Sequence, residues 1–246
     1  MASDAPGRAA RATEKLRALH TVPSSLAFSV AGPRLTPGLL GLGRRGHVAL
    51  TFDDGPDPLG TPRVMDTLAV LGWRATFFVL GDMVAANPRL VAELVAAGHD
   101  VGVHASTHRS HRHMAPRRIV DDVSRAYDTV VAAGAHPAFY RPPHGALSPE
   151  GLVTAHRRGM RAVLWTAWGR DWRAGASPAS VRADVAAGRL DGGTVLLHDS
   201  DCASAPGSWR TTVAALPRLA DLFADRGLEA GPLSDHFAAP ARVAAA

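Results

Sequence analysis

Two adjacent carboxylates lie where the first predicted strand ends. The segment TFDDGP, residues 51–56, follows a short β-favouring run and stops in a turn. At the end of a strand the backbone can bend, so Asp53 and Asp54 can face one cavity although neighbouring strand residues point to opposite sides. Like charges this close raise each other's cost of ionisation unless a cation or an arginine compensates them. The pair therefore indicates a metal site, although Asp-Asp-Gly-Pro is also common in turns.

Two histidines follow the third predicted strand in the sequence HASTH. His104 and His108 are spaced so that a helical turn or a tight loop brings both imidazoles to one ion. The spacing alone is a weak signal. Combined with one carboxylate, and with coordination positions left open, two imidazoles give the ligand set of a catalytic zinc site. We interpret His111 and His113 as loop residues that could help to line the same cleft.

The fourth predicted strand ends in FYRPPHG, residues 139–145. Arg141 can compensate the negative charge of the aspartate pair. The two prolines stiffen the loop and lack backbone donors. The N–H groups of His144 and Gly145 are predicted to remain free, so that they could point at an oxyanion.

Tryptophans and two further titratable residues follow the fifth and sixth predicted strands. The segment LWTAWGRDW, residues 164–172, holds three tryptophans, which suit either a protein core or the apolar face of a sugar ring. Asp171 could orient a histidine. The run TVLLH ends at His198, which is a natural general acid.

The elements that must position these residues alternate between strands and helices. Ser148 and Thr61 each precede a proline and are predicted helix N-caps. About seven β/α units indicate a parallel, barrel-like α/β fold, in which chemistry gathers at the carboxyl ends of the strands. The predicted strands are 47–52, 75–80, 100–104, 137–140, 161–165, 194–198 and, weakly, 228–230. The predicted helices are 61–71, 83–97, 116–133, 148–158, 178–187 and 210–226.

Composition sets the remaining limits. The chain has 246 residues, an apolar fraction of 46% and a net charge of +5, as expected for a globular protein with a full core. No run of basic residues with interleaved aromatics indicates a nucleic-acid partner. Cys202 is the only cysteine, which excludes an intrachain disulfide and a cysteine-based zinc site.

The five segments occur in the order typical of one family. TFDDGP, HASTH, RPPHG, GRDW and TVLLH resemble the motifs of the polysaccharide deacetylase family, also called the NodB homology domain or carbohydrate esterase family 4. The resemblance covers about residues 47–234. It implies an α/β fold, a distorted (β/α)7-type barrel in a single domain, and one divalent metal ion, which we expect to be zinc.

Matched motif by motif, the resemblance implies a role for each residue. Asp53 is the implied base and His198 the implied acid, while Arg141 positions Asp53 and Asp171 tunes His198. The implied metal ligands are Asp54, His104 and His108. The residues expected to contact the substrate are His144, Gly145, Trp172 and Leu196.

Three residues depart from the motifs. Ala105 replaces the usual Ser or Thr of the second motif, so a hydrogen bond that braces the loop is absent or comes from Ser106 or Thr107. His144 replaces the more usual tyrosine of the third motif. Trp168 replaces a frequent aspartate of the fourth. No implied ligand, base or acid is lost, but all three residues border the implied substrate cleft.

The resulting hypothesis is a metal-dependent hydrolase that removes N-acetyl groups from an amino-sugar polysaccharide or oligosaccharide. One alternative is the same chemistry on a small-molecule amide, with the polar segment 199–210 as a specificity loop. The other is a catalytically silent carbohydrate-binding relative. The intact base and acid argue against this last alternative, because a binding module has no need of either.

The chain is predicted to consist of a partly disordered lead-in segment, residues 1–45, and a catalytic domain, residues 46–246. The first twenty residues lack the apolar stretch of a secretory signal, and no segment reads as a membrane span. We therefore expect a cytoplasmic protein from the sequence as written, or an extracellular or cell-wall protein if the N-terminus is misassigned. The sequence leaves the oligomeric state open.

Overall fold

The computed structural model describes residues 38–238, in which parallel strands alternate with helices. The strands are β1 (His47–Asp53), β2 (Thr76–Val79), β3 (Asp100–Val103), β4 (Phe139–Tyr140), β5 (Arg161–Ala162), β6 (Ala167–Trp168), β7 (Thr194–His198) and β8 (Glu229–Gly231). The α-helices are α1 (Gly60–Val70), α2 (Gly81–Ala86), α3 (Pro88–Ala96), α4 (Pro116–Ala132), α5 (Pro149–Arg157), α6 (Pro178–Ala186), α7 (Ser208–Asp225) and α8 (Leu233–Phe237). None of the helices in this part of the chain has the length and apolarity needed to cross a bilayer.

The strands form one sheet in the order β5-β4-β3-β2-β1-β7-β6, and β8 pairs with the first half of β1. Every pairing is parallel. The sheet curls around a central β1, with β5 and β6 at its two edges. The predicted α/β fold, a distorted (β/α)7-type barrel, is confirmed.

The central strand β1 explains how the core positions the site. All seven of its residues are buried, as expected when both faces of a parallel sheet are covered. Val48, Leu50 and Phe52 pack in the large cluster that contains the inner faces of the helices. Ala49 packs in a separate small cluster on the other face of the sheet. The face that carries Ala49 is the one that lines the inside of the barrel. Because side chains alternate along a strand, Asp53 lies on the same face as Ala49, at the end of the strand and at the mouth of the barrel.

Several predicted boundaries were wrong for identifiable reasons. The predicted helix 83–97 is two helices, because Pro88 cannot donate the hydrogen bond that would continue the first one. The predicted strand 161–165 is only Arg161–Ala162, and β6 after it was missed, as was α8.

The two predicted helix caps had different outcomes. Ser148 is confirmed as the N-cap of α5, since its Oγ accepts from the Gly151 N–H. Thr61 lies inside α1 and is not its N-cap. The Asp57 carboxylate accepts from the Gly60 N–H instead.

The predicted lead-in segment, residues 1–45, is described only from residue 38, and its predicted disorder lies outside the described residues. Residues 38–45 pack on the barrel: Leu40 is buried, and the Leu39 carbonyl accepts from the Leu164 N–H at 2.7 Å. The division at residue 46 stays a prediction.

Candidate active site

Asp53 is fixed by an arginine that reaches it through the inside of the barrel. Arg141 follows β4, is fully buried, and donates through Nη1 to Asp53 Oδ1 at 2.6 Å and to Thr51 Oγ1 at 2.8 Å. Its Nε and Nη2 donate to the carbonyls of Val163 and Leu164. Four of the five guanidinium donors are therefore engaged, so the charge that faces Asp53 is held rigidly.

Asp54 turns away from the strand and faces two imidazoles. Its φ of 80° lies in the left-handed region, which reverses the alternation of β1 and brings its carboxylate to the cavity that Asp53 also lines. Asp54 Oδ1 lies 3.4 Å from His104 Nε2 and 3.2 Å from His108 Nε2. Although burial opposes ionisation, the contact with His104 and the charges of His198, His104 and His108 hold the pKa of Asp54 below its usual range.

These three residues have the properties of a metal-binding group. One ligand atom from each lies within 4.8 Å of the others. Asp54 Oδ1 is buried without a hydrogen-bond partner within residues 38–238, an uncommon state for a buried carboxylate. The Nδ1–H of His104 donates to the Arg141 carbonyl at 2.8 Å, which leaves Nε2 as the free lone pair, as is usual for metal-binding histidines. The donor set, its burial and the unpartnered oxygen all fit a divalent cation.

Helix α4 braces the loop that carries the two histidines. Ala105 has a φ of 64°, which costs free energy for a residue other than glycine. Ser106 Oγ donates to the Asp122 carbonyl at 2.9 Å, and Thr107 Oγ1 donates to the Asp122 carboxylate at 3.3 Å. The bracing expected from Ser106 or Thr107 therefore comes from both.

The expectation for His111 was wrong. It is buried beneath the loop, 3.3 Å from the Tyr140 hydroxyl and 3.6 Å from the Asp122 carboxylate, and is not among the residues that line the cavity. His113 is exposed and is also absent from the lining.

His198 is held by Asp171 at the end of β7. Asp171 Oδ1 accepts from His198 Nδ1 at 2.9 Å, and Oδ2 accepts from the His198 backbone N–H at 2.8 Å. Burial lowers the pKa of His198, but the charge and hydrogen bond of Asp171 and the charges of Asp54 and Asp53 outweigh burial and raise that pKa to about 9. With Nδ1 engaged, Nε2 is the nitrogen left to donate a proton to a molecule in the cavity.

In the loop after Arg141, one of the two backbone N–H groups that were predicted to be free is engaged. The Gly145 N–H donates to the Pro142 carbonyl at 2.9 Å, so it is not free for an oxyanion as predicted. The N–H of His144 is the remaining candidate. The His144 side chain is exposed, and its ring lies 4.3 Å from that of His108. His144 and Gly145 both line the cavity.

An aromatic wall borders the cavity on the side of His198. We use this name for Trp165, Trp168 and Trp172, whose neighbouring ring centroids lie 6.1 and 5.1 Å apart. Trp172 meets the His198 ring edge-on at 5.4 Å. The cavity has a volume of about 240 Å³, and its lining also includes Leu196 and the loop residues Ala203 and Ser204. Apart from His111 and His113, all the sequence-predicted site residues except Arg141 and Asp171 line it directly, and those two bind residues that do.

Two buried residues next to the site were missed from the sequence. Thr212, on α7, donates to Asp171 Oδ2 at 2.7 Å. Asp199, directly after His198, is fully buried, and burial raises its pKa to about 7. Thr212 left no sequence signal, since 41 residues separate it from Asp171. An acid directly after the predicted proton donor was a signal that Asp199 lies near the site, but it gave no sign of the contact with Thr61.

Comparison with known proteins agrees with this geometry. The sequence pattern of the polysaccharide deacetylase family matches residues 42–163. A chitooligosaccharide deacetylase from Bradyrhizobium sp. (strain ANU 289) is 38% identical over 195 residues, which are 76% of this chain and 88% of that protein. The chain belongs to the polysaccharide deacetylase family.

Two further relatives support the assignment. A peptidoglycan-N-acetylglucosamine deacetylase from Bacillus cereus is 35% identical over 175 residues, covering 70% of this chain and 79% of that one. The crystal structure of a family 4 carbohydrate esterase from Streptomyces lividans in complex with acetate superposes with a TM-score of 0.67 and 32% identity, over 76% of this chain and 92% of that one. The predicted family, and with it the prediction of a deacetylating hydrolase, are confirmed.

Proposed function

We propose that the chain hydrolyses the N-acetyl group of amino sugars in an oligosaccharide or polysaccharide, releasing acetate and a free amine. The relatives that act on chitooligosaccharides and on peptidoglycan N-acetylglucosamine support this substrate class. The observation that carries the proposal is a single cavity that brings together an arginine-held carboxylate, a metal-binding group and a carboxylate-held imidazole.

We infer that Asp54, His104 and His108 hold one divalent cation, for which zinc is the proposed identity. Two imidazoles and one carboxylate are a common ligand set of catalytic zinc. When bound, the ion supplies Lewis acidity to the amide carbonyl and to the attacking water.

Asp53 is the proposed general base. Arg141 keeps the Asp53 carboxylate oriented by the 2.6 Å ion pair at Oδ1, so Oδ2 is the oxygen available to accept the proton of the attacking water. Addition of that water to the carbonyl carbon gives a tetrahedral oxyanion. The His144 N–H is the proposed backbone donor to this oxyanion.

His198 is the proposed general acid. An amide cannot expel its nitrogen as an anion, so the departing amine must be protonated as the carbon–nitrogen bond breaks. With its pKa raised to about 9, His198 carries this proton at neutral pH. Asp171 fixes the Nδ1–H tautomer and stabilises the charged ring until the proton is delivered from Nε2.

The aromatic wall is the proposed contact for the sugar. Indole faces pack well against the apolar face of a pyranose ring. Trp172 and Leu196 line the cavity, and we propose that they receive the sugar and the acetyl methyl group. The experiment is to measure acetate release from chitin oligomers, peptidoglycan fragments and acetylated xylan, with the new amine identified by mass spectrometry. Acetate without a matching amine would contradict N-deacetylation.

A small-molecule amide is the second candidate, favoured by the size of the cavity. Its volume of about 240 Å³ is below the roughly 300–1,000 Å³ typical of sites that enclose drug-sized ligands. Ala203 and Ser204 of the 199–207 loop form part of its lining. N-acetylated monosaccharides and aryl amides in the same assay distinguish the two candidates. If the substrate is an oligosaccharide, turnover should become faster as sugar units are added.

A further inference from the structure

The loop that carries Asp54 depends on contacts from other parts of the chain. Because Asp54 has a left-handed backbone, its conformation costs free energy and persists only where the surroundings fix it. Three consecutive carbonyls of this loop each accept from a different donor. The Asp53 carbonyl accepts from the Asp199 N–H at 3.4 Å, that of Asp54 from Cys202 Sγ at 3.6 Å, and that of Gly55 from the Leu80 N–H at 2.8 Å.

Asp199 makes a second and closer contact with the same loop. Its carboxylate lies directly against the Cα of Gly55, where the three nearest neighbours of an added Cβ would all be Asp199 atoms and would overlap with it. Asp199 Oδ2 accepts from Thr61 Oγ1 at 2.5 Å, and Thr61 Oγ1 accepts from the Asp57 N–H at 2.7 Å. The carboxylate thus joins both ends of the 54–61 turn.

A buried carboxylate with so few donors is costly, which suggests that its position matters. Asp199 is fully buried and its Oδ1 has no hydrogen-bond partner among the described residues. A carboxylate that only filled space would be replaced at lower cost by an apolar side chain. Its contacts are concentrated on the turn that presents Asp54.

We propose that Asp199 is a positioning residue for the metal ligand Asp54. Its carboxylate, packed on Gly55 and hydrogen-bonded to Thr61, holds the 54–61 turn in the conformation that directs Asp54 Oδ1 to His104 and His108. This inference rests on the proposed metal site. It assigns to Asp199 no contact with the substrate and no part in proton transfer.

The test measures zinc affinity of chelator-stripped protein by competition with a chromogenic chelator, so it does not depend on any substrate. Loss of a residue that orients a metal ligand typically costs about 10–100-fold in affinity, and Asp199→Ala should raise the zinc Kd by that factor. Asp199→Asn keeps the shape and an acceptor for Thr61 and should stay closer to wild type. The matched control is Asp201→Asn, in the same loop, whose carboxylate accepts from Gly207 and which should leave the Kd unchanged.

Gly55→Ala tests the contact from the other side and keeps the proposal falsifiable if Asp199→Ala does not fold. Its added Cβ should displace the turn and raise the zinc Kd. If the contact is direct, the double variant Gly55→Ala/Asp199→Ala should lose less affinity than the sum of the two single losses. Folded Asp199→Ala or Gly55→Ala with a Kd within about twofold of wild type, well below the 10–100-fold loss, would overturn the proposal.

Failure of the proposed function gives a different result. If the wild type binds zinc and the variants behave as expected but no sugar is deacetylated, the substrate assignment fails and the role of Asp199 stands. If the wild type binds no zinc, the metal site fails and the role of Asp199 fails with it.

Discussion

Histidines beside the two ends of strand β1 have pKa values shifted in opposite directions. At the carboxyl end, His198 contacts Asp171, and its pKa is raised to about 9. At the amino end, His47 Nδ1 lies 2.9 Å from the Nδ1 of another histidine, His236. Burial, helped by the charges of His236 and Arg44, lowers the pKa of His47 to about 4. Burial lowers the pKa of both histidines, so the partner decides which of them is charged.

The two ends of β1 also differ in whether their polar side chains have hydrogen-bond partners. At the amino end each histidine has a hydrogen-bond partner. The His236 Nε2–H donates to the Gly41 carbonyl at 3.0 Å, so the Nδ1 of His236 is the acceptor for the Nδ1–H of His47. At the carboxyl end Asp54 Oδ1 has no hydrogen-bond partner in the part of the chain that the structure describes. We expect substitutions at the carboxyl end to affect metal binding and catalysis, and those at the amino end to affect stability.

The largest effect is expected for Asp54→Ala. Metal ions contribute several kcal/mol to transition-state stabilisation, so loss of the ion should reduce kcat/KM by about a thousandfold or more. Elemental analysis should show less than one zinc per chain in this variant, and also in His104→Ala and His108→Ala. His47→Gln, at the amino end, is the control and should keep its zinc. Full zinc content in all three ligand variants would remove the proposed site.

Asp53→Asn should separate the base from the ligands. The amide keeps the shape and the contact with Arg141 but cannot accept the proton, so catalysis should fall by about 10²–10⁴-fold. Zinc content should stay at the wild-type level, because the group that fits the metal does not include Asp53. If turnover stays within about tenfold of wild type, a difference of only about 1.4 kcal/mol in the barrier, another group is the base.

His198→Ala should impair amide cleavage far more than cleavage of an activated acetyl ester. An amine leaving group needs the proton, whereas a phenolate leaves without it, so the two losses should differ by up to about 10²–10⁴-fold. Asp171→Asn should give a smaller loss of the same kind, because it weakens the charged ring without removing it. Equal losses on both substrates would indicate a binding or structural role for His198.

The smallest effect is expected at the amino end, in the pH dependence of stability. The pKa of His47 in the folded protein lies below its unfolded value of 6.5, and that of His236 is also lowered. Below pH 6.5 the unfolded chain therefore binds more protons than the folded protein. The contribution of this pair to the free energy of unfolding is complete above pH 6.5 and is lost as the pH falls toward about 4. Urea midpoints at pH 7 and pH 5 should differ less in His47→Gln than in wild type. An unchanged difference would show that the pair does not titrate on unfolding.

The sequence predicted the reactive and metal-binding residues of the site better than the residues that hold them in position. Asp53, Asp54, His104, His108 and His198 could be placed because each ends or follows a strand, and parallel strands bring these positions together. The engaged Gly145 N–H could not be seen, because it depends on the turn that follows Pro142. The roles of Asp199 and Thr212 depend on contacts across 138 and 41 residues, which have no local pattern.

The predicted strand 161–165 is shorter than expected because of contacts that are also distant in sequence, and these contacts give Arg141 a second role. Segment 163–166 joins the two edge strands β5 and β6, and there the carbonyls of Val163 and Leu164 accept from the guanidinium of Arg141. The side chain that orients Asp53 therefore also satisfies backbone carbonyls at the opening between the two edge strands of the described sheet. A lysine at this position could not reach all four acceptors. Selection on folding should thus preserve this arginine in descendants that no longer need catalysis, and lineages drifting toward inactivity should lose the aspartate pair before they lose Arg141.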